Sequence, residues 1–243
     1  MEANENLYEK IREILGGQPA NLKVLEQQID MDLQLAYFDH AGRLREDLDE
    51  AWALERLSCL QEPSYSKDLK RDILARCACI EDVDCYRAIE RFLQEGEEEL
   101  RDWACLALNE SRMRLESKLL DESQVFISTG LGGKAEKLRY FVVLMSRANQ
   151  DFSALHRRVI SSEFETCLKQ FDADIEQLEF SGPLASLLVL VPMTRPLDSV
   201  FKAAIDECNL YGGFLDDAFI VTNVRTLSFE EVREMLEKKA RKD

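Results

Sequence analysis

Histidine is nearly absent from this 243-residue chain: there are two, His40 and His156. A hydrolase triad needs a nucleophile and an orienting acid around one of them, and no local signature of either is present. Long apolar runs are also missing. The longest, Leu184 to Val191, is broken by Ser186 and has strand length, far below the roughly 18 residues of a membrane span. The start, Met1-Glu2-Ala3-Asn4-Glu5, lacks the basic segment and apolar core of a secretory signal. The expected location is therefore cytoplasmic. None of the seven cysteines forms a CxxC pair, and Cys77, Cys79 and Cys85 have no histidine near them in sequence. That spacing does not suit zinc. The expected state is reduced thiol in helix cores, with no metal and no cofactor. No EF-hand pattern is present either.

Positive charge is also short. The formal net charge is −16, and it is unevenly spread. Residues 1–123 carry 29 acids against 16 bases, and residues 124–243 carry 18 against 15. An acidic first half repels phosphate backbones and anionic lipid, so the expectation is no nucleic acid and no membrane as partners. A basic protein surface would suit it. The acidic run Glu95, Glu97, Glu98, Glu99 opens a helix, where carboxylates favour the helix dipole.

At 46% hydrophobic and 32% charged, the chain has globular composition, enough for two cores. Helical spacing dominates up to about Ser123. Leu7, Ile11, Ile14 and Leu15 predict a helix from Asn4 to Leu15, stopped by Gly16-Gly17. Leu22, Leu25, Ile29 and Leu33 continue at helical spacing until Gly42 breaks the pattern. Residues 43–60, 66–79, 83–94 and 97–119 predict four more helices with short links, the last with a break near Asn109. Arg71 to Ala78 echoes Arg101 to Leu108 thirty residues later. Paired helices at that interval predict an acidic α-solenoid of the HEAT or armadillo kind over 1–123, with a closed bundle as the alternative.

From Gln124 the period changes. Val125-Phe126-Ile127-Ser128-Thr129 predicts a strand and Leu138 to Ser146 a second, joined as a hairpin across Gly130 to Lys134. A helix over Asp151–Phe171 follows, then strands at 175–180 and 184–191. A helix from Pro196 to Leu210 and a strand near Ala218 to Val221 come next. Ser228 and Glu231 form a capping box that opens a final helix. From Leu138 the order β-α-β-β-α-β is that of the ferredoxin-like fold. The expected class is thus α+β. A helical array over 1–123 precedes a ferredoxin-like α/β sandwich over 124–243, with an extra N-terminal hairpin strand and a C-terminal helix.

The one chemical candidate is Ser128, Thr129, Gly130, Gly132, Gly133 and Lys134. Hydroxyls, glycine backbone and a lysine are the parts of phosphate sites. A Walker loop fails, because Ala135 follows the lysine and a strand, not a helix, comes next. The same segment could instead serve a hairpin turn, or present Leu131 to a partner protein. RNA-recognition domains share the predicted fold and carry aromatics on two central strands. Tyr140 and Phe141 could supply one; LASLLVLVP supplies none. With no catalytic constellation, the reading is a non-enzymatic interaction or regulatory protein. Its helical array would dock a protein partner, and its α/β part would bind a second partner, a second subunit or a ligand. The alternative is a small-molecule or phosphate-ligand sensor, or an enzyme, with its site at the Gly130 to Lys134 hairpin.

Overall fold

A computed structural model describes residues 21–120 and 124–240. The helix expected over Asn4 to Leu15 lies outside them. The chain mixes helix and sheet, so its class is α+β. Residues 21–25, 29–120 and 124–128 form one compact unit; residues 26–28 and 129–240 form the other.

The first unit opens with β1 (Asn21–Val24). Five helices follow: α1 (Met31–Glu46), α2 (Glu50–Leu54), α3 (Lys67–Cys79), α4 (Val83–Glu95) and α5 (Arg101–Leu120). β2 (Gln124–Ile127) closes it. Four helix starts are fixed by side-chain caps. Asp30, Asp49, Ser66 and Asp82 each accept a backbone N–H of the first turn, as polar N-caps do. Asp30 also ends the helical pattern expected from Leu22, which begins as a strand. Asp49 interrupts the helix expected over 43–60. α1 runs through Gly42, and α5 shows no break at Asn109.

The solenoid expectation is corrected here. In a solenoid each repeat meets only its sequence neighbours. In this unit α1 reaches α5 as well as α3, and β1 pairs in parallel with β2, tying the first element to the last. Leu25, Tyr37, Ile73, Ile89 and Trp103 belong to a single buried cluster. The two echoing segments touch each other. The Trp103 indole donates to the Arg71 carbonyl at 3.3 Å, and the Arg71 guanidinium lies 5.6 Å from the indole ring centre.

The second unit is an antiparallel sheet. It contains β3 (Gly133–Lys134), β4 (Lys137–Ser146), β5 (Asp174–Ser181), β6 (Leu184–Pro192) and β7 (Leu215–Thr222). β4 pairs with β6 on one side and with β7 on the other, and β5 pairs with β6. The most apolar strands are therefore central, because both of their faces are covered. On one face lie α6 (Ala154–Gln170) and α7 (Leu197–Asn209), packed together. Phe201 of α7 meets Phe219 of β7 at 5.5 Å. α8 (Phe229–Ala240) buries Val232 in a cluster with Phe141, Val143, Leu184 and Leu188. Ser228 and Glu231 cap that helix reciprocally, at 2.8 and 3.2 Å.

The expected hairpin between Val125–Thr129 and Leu138–Ser146 does not form. β2 pairs with β1, and the turn lies between Lys134 and Lys137, with Ala135 at φ 54°.

Candidate functional site: a two-arginine cleft

The glycine segment is packed, not open. Thr129 is buried, and its hydroxyl donates to the Gly132 carbonyl at 3.2 Å. A Cβ on Gly130 would lie 1.8 Å from the Val224 carbonyl oxygen. At Gly132, with φ +66°, it would lie 2.5 Å from the Gln27 carbonyl oxygen. These glycines thus answer close backbone approach. Gly133 is buried and paired with Leu138, while Lys134 is exposed. Leu131 is 2% exposed inside the cluster that holds Val232, so it is a core side chain and not one presented to a partner. Ser128 belongs to the helical unit, where it lines a different feature.

That feature is a cleft of about 170 Å³ built from α1, α5 and β2. At its base is Glu110, an acid on the buried face of α5, its side chain 5% exposed. Residues 103, 107, 110 and 114 share that face by helical spacing. A buried carboxylate must be paired, and this one is paired three ways. Tyr37 donates its hydroxyl to Oε2 at 2.8 Å. Arg114, one turn on, donates Nε and Nη2 to Oε1 at 3.3 and 3.2 Å. Arg45, near the end of α1, brings Nη2 to 3.5 Å from Oε1. The Cys79 thiol lies 3.9 Å from the same oxygen.

The environment sets the protonation of the neutral members. Burial raises Tyr37 well above the usual phenol range, and the charge of Glu110 adds to the shift. Burial, then Glu110, also raises the Cys79 thiol. Both stay protonated donors toward the carboxylate. Phe38, Leu106, Met113 and Phe126 form the apolar wall; Asn109 and Ser128 add polar groups. Asn109 Nδ2 donates to the Cys105 carbonyl at 2.8 Å, which leaves its amide oxygen as an acceptor. Among the described residues lining the cleft, one carboxylate faces two guanidiniums, beside an apolar wall. Chemically, that arrangement holds an anion with an apolar body.

Sequence reasoning missed this site except for Ser128. The signal was an acid inside an apolar helical stripe, with Arg114 one turn later. The other candidates separate. His40 lies in the helical unit, its Nε2 2.7 Å from Asp72 Oδ1. His156 lies in the other unit, stacked on Phe214 at 4.3 Å. The seven cysteines are free thiols. The Cys85 thiol, by hydrogen bonding, and then burial push Cys77 up. Among the described residues no group of three or more His, Cys, Asp or Glu could hold a metal, and no helix is long and apolar enough to cross a membrane.

No family model matches the chain, and no curated protein matches it. Solved structures do. One is a transposase candidate from Deinococcus radiodurans R1, with 16% identity and a TM-score of 0.36, covering 45% of this chain and 93% of that one. Another is a REP-associated tyrosine transposase bound to a REP hairpin, with 8% identity and a TM-score of 0.31, covering 41% of this chain and 62% of that one. Both neighbours are described as transposases, one of them bound to a REP hairpin. The expectations of a non-enzymatic interaction protein, of a HEAT-like docking array and of a chain without nucleic-acid partners are corrected accordingly. At these TM-scores the likeness carries no activity to this chain.

Proposed function

We propose that the helical unit binds a small anionic molecule in the cleft at Glu110. One observation carries this reading. A nearly buried carboxylate is shared by two arginines, Arg45 and Arg114, at the base of a cavity whose other walls are mostly apolar. Few polar groups set in an apolar concavity are the common build of a ligand site.

The described residues up to Ser128 are mostly helical, closed by the β1–β2 ladder. From Thr129 the chain is an α/β part whose order from β4, β-α-β-β-α-β with β4 and β6 central, supports a ferredoxin-like arrangement. That arrangement hosts many functions, so the function is argued from the cleft alone.

The test is a thermal-shift screen with small organic acids, amines and neutral compounds. Anions should raise the melting temperature, and Met113→Trp, which fills the cleft, should abolish the rise. A flat screen, or a rise that survives Met113→Trp, would sink the reading.

A further inference from the structure

We infer that the ligand class is a small monocarboxylate with an apolar body, seated on Arg45; this rests on the cleft being a binding site. Three features select that class. The first is charge. Among the described residues, Glu110 is the single acid lining the cleft, against Arg45 and Arg114. One further negative charge balances the set, and a phosphate dianion exceeds it.

The second is geometry. Arg114 is committed: two of its nitrogens hold Glu110 Oε1, and its side chain is 25% exposed. Arg45 is less committed, its nearest nitrogen 3.5 Å from that oxygen and its side chain 43% exposed. A guanidinium offers five donors in a planar fork, which matches a carboxylate edge-on. Arg45 can therefore take a second carboxylate while Arg114 keeps the first. Tyr37 holds Glu110 by Oε2, and the Cys79 thiol lies 3.9 Å from Oε1.

The third is size. At about 170 Å³ the cavity is smaller than the roughly 300–1,000 Å³ of drug-sized sites. It suits a single ring or branched chain lying against Phe38, Leu106 and Phe126.

The probes are phenylacetate, its neutral amide phenylacetamide, and inorganic phosphate, titrated calorimetrically into the full chain. Phenylacetate should bind, phenylacetamide at least tenfold more weakly, and phosphate not measurably. Arg45→Met should weaken phenylacetate by roughly ten- to a hundredfold, the worth of one charge-assisted bond. Arg45 is partly exposed, so this variant should fold; its tryptophan-monitored urea curve checks that. If phosphate binds and phenylacetate does not, the class is wrong and the cleft reading survives. Equal binding of the amide overturns the charge argument. If phenylacetate binds Met113→Trp as well as the parent, the cleft reading itself fails. Absence of binding by all three probes also overturns the inference.

Discussion

Replacing Glu110 with glutamine keeps the side-chain shape and removes the charge that organises the cleft. In the parent, Oε1 takes the Arg114 pair and Oε2 takes the Tyr37 hydroxyl. An amide has one oxygen and one NH₂, so either the phenol or the guanidinium must face another donor. Breaking a fully buried ion pair costs about 3–5 kcal/mol, and losing one bond to a charged group about 1.5–3 kcal/mol. Arg45 and Arg114 keep 43% and 25% side-chain exposure, so water can take up part of their charge. The expected loss is therefore about 2–3 kcal/mol, nearer the single-bond figure. The assay is built into the chain. Both tryptophans, Trp52 and Trp103, belong to the helical unit, and Trp103 lies 5.1 Å from the Tyr37 ring. Tryptophan emission during urea unfolding thus reports that unit. With a urea dependence of about 1–3 kcal/mol per molar, the midpoint should fall by about 0.7 M or more. A midpoint within about 0.2 M of the parent, at unchanged slope, would show that the carboxylate is not what holds Tyr37 and the arginines. The charge argument for the cleft would then be lost.

Two glycines should respond oppositely to alanine. Gly42 lies inside α1 with nothing within 4 Å of an added Cβ, so Gly42→Ala should stabilise by about 0.5–1 kcal/mol in the same urea experiment. Gly130→Ala drives a Cβ into the Val224 carbonyl and should destabilise by about 1–3 kcal/mol, seen as a lower melting temperature of the α/β unit. A neutral Gly130→Ala would contradict the packed-backbone account of that segment. Stability should also fall on the alkaline side. Burial pushes Cys105 to about 11, and Cys208 and Tyr140 to about 12. In the unfolded chain thiols ionise near about 8.5 and phenols near about 10. Between those values and the raised ones the folded chain holds more protons, so stability is complete below about pH 8.5 and declines as pH rises toward 12. Melting temperatures from pH 8 to 11 under reducing conditions check this, and a flat profile would refute it.

The elements readable in the sequence are those whose signals are local. The expected spans 66–79 and 83–94 match α3 and α4 closely, because Ser66 and Asp82 announce their own caps. LRYFVVLMS and LASLLVLVP, apolar on both faces, became the two central strands. What failed depended on distant partners. Asn21 to Val24 shares helical spacing with Leu25, Ile29 and Leu33, yet it pairs with a strand a hundred residues on. No local period announces a four-residue parallel ladder. The glycines after Ser128 suggested a flexible loop, but their reason lies in carbonyls at Gln27 and Val224. The cleft was illegible for the same cause. Tyr37 and Glu110 are 73 positions apart, and only the packing of α1 on α5 makes them partners.

The acidic balance of the chain speaks to extended phosphate backbones and lipid surfaces, and much less to a small anion in the proposed cleft. A net charge of −16 describes a field averaged over the whole surface, and at 0.1 M salt that field decays over about 10 Å. A bound anion instead answers to the groups within a few ångströms of it. In the helical unit those groups are two guanidiniums and one carboxylate, so the most acidic part of the sequence contains a locally cationic cleft. The acidic surface opposes an approaching anion mainly at low salt, where screening is weak. Contact chemistry decides what remains bound, because Arg45 and Arg114 act from the wall of a concavity lined by Phe38, Leu106 and Phe126, where water screens less. The sign of the whole molecule is therefore no argument against the proposed anionic ligand.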